Sequence, residues 1–121
     1  MAAAIIDLYI EQGTDWTKTF KFYSDAGQTQ PIDFTGCTGR CKIRDLDGNI
    51  IATPIVTFSA PTTGGTLVLT LANALTSAIP VDGVTYDATS AATYDVEVVA
   101  AGGQVTRYLN GSVAVSPEVT K

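Results

Sequence analysis

The chain has 121 residues, 45% of them hydrophobic and 16% charged, with a formal net charge of -5, two cysteines and no histidine. That length fits one domain over residues 1–121, large enough to bury a core without covalent staples. The acidic balance argues against nucleic acid and anionic membranes as partners, both of which require a basic face, and the missing imidazole removes Ser-His-Asp relays and histidine-ligated metals.

No run approaches the roughly 20 apolar residues that span a bilayer. The opening MAAAIIDLYI meets Asp7 before an apolar stretch is complete and has no basic start, so no secretion signal is expected. AAIIDLYIEQG then alternates, with Ile6, Leu8 and Ile10 on one face and Asp7, Tyr9 and Glu11 on the other, the period of a strand ended by Gly13. DWTKTFKFY repeats the pattern, with Trp16, Phe20 and Phe22 inward and Lys18 as the one mismatch, expected to reach solvent at an edge. Turn residues in SDAGQTQP close it.

In GCTGRCKIRDLDGN, Cys37, Cys41 and Ile43 share parity while Arg40, Lys42 and Arg44 take the opposite face. On one strand, positions four apart lie about 13 Å apart, too far for a disulfide, whose α-carbons lie within about 7 Å. A bridge would need the strand to start late, with Gly36 and Gly39 bending the chain. Otherwise the thiols pack inward as small hydrophobes. Two cysteines without histidine cannot assemble a zinc site from soft donors within a subunit. The three cations form either a contact stripe for an acidic partner or a solvated face paired with Asp45 or Asp95 across strands.

DLDGN reads as a tight turn, since its glycine and its twelfth position do not fit an EF-hand loop. Pro54 within IIATPIVTF predicts an edge strand or one broken at a bulge. TLVLTLA gives the clearest alternation, with Leu67, Leu69 and Leu71 inward, and NALTSAIP adds one helical turn stopped by Pro80. VDGVTYDATSA reads as an inserted loop. The remainder reads as a hairpin joined at Gly102-Gly103, a bulge or second turn at Asn110-Gly111, and a last strand through Val113 and Val115. NGS at 110–112 matches a glycosylation sequon but is read as a turn. Seven or eight short strands at this spacing predict an all-β sandwich with one short helical turn.

Asp95 and Glu97 share a strand face about 7 Å apart, a carboxylate spacing available to a glycosidase but far more common as surface charge. Tyr9, Tyr86 and Tyr108 are read as exposed. Tyr86 and Tyr108 are the candidates for stacking on a glycan, and exposed tyrosine is as common at protein interfaces. No catalytic, metal or cofactor residue is assigned.

Several elements, in order, resemble a group of small tailed-phage virion proteins related in pattern to the N-terminal domain of phage upper baseplate proteins. They are IEQGTDWTKTF with its QG-D element, IDFTGCTGRCKIRD, GGTLVLTLANALTSAIP, the strand beginning YDVEVV, and the closing GSVAVSPEVT. The loop VDGVTYDATSA and the two cysteines depart from the group's pattern. The resemblance implies an immunoglobulin-like antiparallel sandwich that serves, without enzymatic activity, as a building piece of a virion, made in the host cytoplasm. With the chain ending at Lys121 just after the last strand, it suits a capsid decoration or cement protein, a homotrimer bound to the major capsid protein at threefold positions. The contact candidates are Ile6, Leu8 and Tyr9 of the first strand and the Arg40, Lys42, Arg44 face. The alternatives are a tail or baseplate adaptor and a glycan-binding module for host recognition.

Overall fold

The computed structural model describes residues 3–120; Met1, Ala2 and Lys121 lie outside the described residues. The N-terminal run is interrupted into β1 (Ala4–Ile5) and β2 (Leu8–Glu11), followed by β3 (Trp16–Lys21), β4 (Thr38–Asp45), β5 (Ile50–Ala52) and β6 (Ile55–Phe58). A 3-10 turn at Thr62–Gly64 precedes β7 (Thr66–Leu71), then come α1 (Asn73–Ser77), β8 (Ser90–Val99) and β9 (Val105–Ser116). Two sheets form the sandwich. Sheet A has the order β1-β9-β8-β4-β5, with β2 also on β9, and sheet B the order β3-β7-β6.

The predicted all-β sandwich is the observed one, with two refinements. β1 and β2 pair with β9 in parallel, whereas the other ladders are antiparallel. A parallel neighbour needs a long crossover, and here nearly the whole sandwich separates the first strand from the last. Pro54 ends one strand and lets the next begin on the other side. β5 pairs β4 at the edge of sheet A, and β6 pairs β7 at the edge of sheet B. Proline lacks the ladder donor, so the crossing falls where no N–H is required.

Alternation fills the space between the sheets. Leu67, Leu69 and Leu71 of β7 face Ile43 of β4, Val96 of β8 and Leu109, Val113 and Val115 of β9 in one buried cluster. Lys18 lies exposed on β3, an edge strand of sheet B, where its charge stays in water. At one end Phe22, Phe34, Phe58 and Tyr108 interlock, with Phe34 4.6 Å from Phe58 and Tyr108 5.2 Å from Phe22 between ring centroids. Tyr108, read above as exposed, is therefore a half-buried member of this cluster.

The reason is a bulge. Val96 of β8 faces Leu109, but Glu97 faces Arg107, so Tyr108 is the extra residue. It turns into the aromatic cluster while Arg107 moves to the outer face. The irregularity expected at Asn110-Gly111 is thus two residues earlier. Asn110 and Gly111 lie inside continuous β9, opposite Asp95 and Tyr94, and the sequon read as a turn is strand. Gly111 is required for a different reason. A Cβ there would sit 2.3 Å from the Ile6 carbonyl oxygen, at the break between β1 and β2.

That break is stitched by side chains. The Tyr94 hydroxyl donates to the Ile6 carbonyl at 2.6 Å, and the Ser112 amide donates to an Asp7 carboxylate oxygen at 3.1 Å. Tyr94→Phe leaves the Ile6 carbonyl without its partner and is expected to cost about 1 kcal/mol in urea unfolding, with the fold unchanged by circular dichroism.

Candidate interaction surface

The outer face of sheet A is built by strand parity. Arg40, Lys42 and Arg44 alternate with buried Cys41 and Ile43 along β4. Register sets Arg40 opposite Glu97, Lys42 opposite Asp95 and Arg44 opposite Thr93 on β8. On the far side of β8, the Tyr108 bulge brings Arg107 opposite Glu97, and Asn110 follows opposite Asp95. The result is a column of carboxylates flanked by cations, with a depression of about 400 Å³ between them.

Two ion pairs cross this face. Arg40 Nε donates to Glu97 Oε1 at 2.7 Å, and Arg107 Nε lies 3.4 Å from Asp95 Oδ2. Cross-strand ion pairs are present, but not with the expected acids: Asp95 turns toward Arg107, and Glu97 takes Arg40. Asp45 serves the β4–β5 turn instead, where its Oδ1 accepts the amides of Asp47 and Asn49 at 3.0 and 2.9 Å. Those bonds, led by the Asn49 amide, hold the Asp45 carboxyl below its ordinary range. Arg44 Nη1 donates to the Gly48 carbonyl at 2.8 Å. Among the described residues, neither Lys42 nor Arg44 has a carboxylate partner.

The remaining candidates fall elsewhere. Leu8, offered above as a contact residue, is 5% exposed and packs into the core, as its inward parity requires, and Ile6 is half-buried against that core. Of that trio only Tyr9 is exposed, and its carbonyl accepts the Trp16 indole N–H at 2.9 Å. That bond occupies one acceptor on the open side of β2. Tyr86 is exposed on the 81–89 loop, and its carbonyl accepts the Ser116 hydroxyl. Tyr108 lies eight residues away along β9, roughly 25 Å by strand rise, so the two tyrosines do not form one stacking platform.

Both cysteines are free thiols. β4 does begin late, at Thr38, but Gly39 pairs in register with Val98 and runs straight. A Cβ on Gly39 would meet Val56 Cγ1 at 2.3 Å. Small residues on the inner side of this stretch thus let the β6 side chains of sheet B approach. Burial, reinforced by the nearby Asp95 charge, pushes the Cys41 thiol up to about 12, and burial likewise pushes the Tyr94 phenol up to about 12.

The sign of the pH effect follows. Between pH 9.0, the ordinary thiol value, and about 12, the unfolded chain sheds a Cys41 proton that the folded chain retains. The native state then binds more protons, so stability falls as pH rises. Tyr94 acts in the same direction from pH 10.0 upward. The urea midpoint is expected to drop steadily above pH 9, with a shallower drop in Cys41→Ala. Native Cys41 should also resist iodoacetamide at pH 8 and react once unfolded.

Missed by sequence reading was the Gln12–Gly13–Asp15 element, quoted above only as a pattern. Buried Gln12 donates to the Ile79 carbonyl at 2.9 Å and accepts the Glu118 amide at 2.8 Å. The Gly13 amide donates to the Thr76 hydroxyl, and Asp15 Oδ1 accepts the Asn73 amide at 2.8 Å. The element ties the β2–β3 turn to α1 and to the chain after β9, and is structural.

Among the described residues, no group of three His, Cys, Asp or Glu side chains is placed to hold a metal ion, and no helix is long and apolar enough to cross a membrane. Among curated proteins, none matches the chain. The crystal structure of CopC from Methylosinus trichosporium OB3b is similar at a TM-score of 0.46 and 12% identity, over 92% of this chain and 86% of that one. The family model for the LtfC-like β-sandwich domain matches residues 2–116. With that match running from the first strand to the end of β9, the chain belongs to the LtfC-like β-sandwich family.

Proposed function

We propose that this chain is a non-enzymatic structural subunit of a tailed-phage particle, a decoration protein that docks on the head lattice through the outer face of sheet A. The observation that carries the reading is the clustering of Arg40, Lys42, Arg44 and Arg107, four of seven basic residues, on one sheet face of a chain with net charge -5. The resemblance of the strand and turn pattern to small virion proteins supports the particle context. A sandwich face offers contact area on a backbone already held by strands on both sides, so docking there needs no loop ordering. A subunit that buries area only against the assembled lattice stabilises that state by mass action, by about 2.7 kcal/mol at a concentration a hundred times its dissociation constant. Purified protein added to particles lacking it is expected to raise their melting temperature in a saturable way. No shift at saturation would contradict the head assignment, and a low-copy ring in particle images would favour a tail or baseplate adaptor.

A further inference from the structure

Within the sheet A depression, two cations are paired with carboxylates and two are not. Arg40 and Arg107 are oriented by Glu97 and Asp95, whereas Lys42 and Arg44 have no acidic partner among the described residues. The face therefore carries two unbalanced positive charges, while the rest of the sequence holds ten acidic residues against three basic ones. Lys42 and Arg44 are alternate residues of one strand, so their side chains leave the sheet about 7 Å apart. Alternate side chains of another extended chain have the same spacing. Between the β4 cations and Arg107 of β9, the β8 side chains Thr93, Asp95 and Glu97 line the floor and are shorter than the flanking Arg and Lys, so the depression runs along β8 as a trough.

We propose that this trough receives an extended acidic segment of a partner protein, with carboxylates at alternate positions meeting Lys42 and Arg44. This deepens the docking reading above and rests on it. Single-stranded nucleic acid is disfavoured by its length. Its charge would continue beyond the trough over a surface whose remaining charged residues are predominantly acidic, whereas a short acidic segment confines its charge to the trough.

The test uses the full chain and a fluorescent ten-residue peptide of alternating Glu and Thr. It is expected to bind at low salt and to weaken as salt rises. Lys42→Glu/Arg44→Glu should lose about tenfold or more in affinity, and the milder Lys42→Gln/Arg44→Gln should lose part of it. A Lys/Thr peptide should gain binding to the Glu variant. No binding of the Glu/Thr peptide to the unaltered chain, equal binding to the charge-reversed variant, equal binding of a Gln/Thr peptide, or displacement by a stoichiometric oligo-dT would each overturn the proposal. Particle melting separates the two readings. A charge-reversed variant that protects particles as well as the unaltered chain overturns the trough alone. An unaltered chain that binds the peptide but leaves particles unprotected upholds the trough and overturns the decoration role.

Discussion

Gln12→Leu is expected to destabilise the fold by about 3 kcal/mol, seen as a fall on the order of 10 °C in melting temperature. The side chain is 5% exposed, and its amide bridges the Ile79 carbonyl and the Glu118 amide. Leucine matches the volume but leaves one acceptor and one donor unpaired, and a buried polar group stripped of its partner costs about 1–3 kcal/mol. The two partners follow α1 and β9 respectively, so the variant should also raise hydrogen exchange at the segments around Ile79 and Glu118 before the rest of the sandwich opens. A melting temperature within about 2 °C of the unaltered protein would show that water replaces both bonds at little cost.

The second large effect is expected from Gly111→Ala. Its Cβ would meet backbone, the Ile6 carbonyl oxygen and carbon at 2.3 and 2.9 Å, with Asp7 Oδ1 at 3.2 Å. A flexible side chain could turn aside, but a strand break pinned on both sides cannot. β1 and β2 would have to move off β9, stretching the Tyr94–Ile6 and Ser112–Asp7 hydrogen bonds. The expected cost is about 2–3 kcal/mol, the range of overpacked sites. Because the Tyr94 hydrogen bond is lost in both single variants, Gly111→Ala and Tyr94→Phe should combine to less than their sum. Strict additivity would mean that the break tolerates the methyl group without moving.

These two positions also mark what is legible in one dimension. β7 reads directly, because Leu67, Leu69 and Leu71 face the core without exception while Thr66, Val68 and Thr70 do not. Pro54 reads well too, since a missing N–H has few places to sit. The Tyr108 bulge leaves no local mark. One extra residue reverses parity from Arg107 onward, and no glycine announces it. The turn-like Asn110-Gly111 drew attention to a position where glycine answers a close approach between strands, a contact more than a hundred residues away in sequence. Phe34, flanked by exposed Asp33 and Thr35, is a core residue outside any strand with Ile32 as its one inward neighbour, too short a run for alternation to assign.

The candidate face was half legible. Parity alone placed Arg40, Lys42 and Arg44 together, because successive side chains on a strand alternate faces. Pairing those cations with particular acids required the β4–β8 register, which no local spacing fixes. Arg107 joined them only through the bulge. Leu8 shows the opposite error. Its inward parity assigns it to the core, and a buried side chain cannot also be a contact surface in the folded chain.

The most direct test of the proposed docking role is the stoichiometry of this chain against the major shell subunit in purified phage particles, by quantitative mass spectrometry. Near-equal numbers are expected of a decoration protein spread over the head lattice. Absence from particles that are otherwise complete would contradict it.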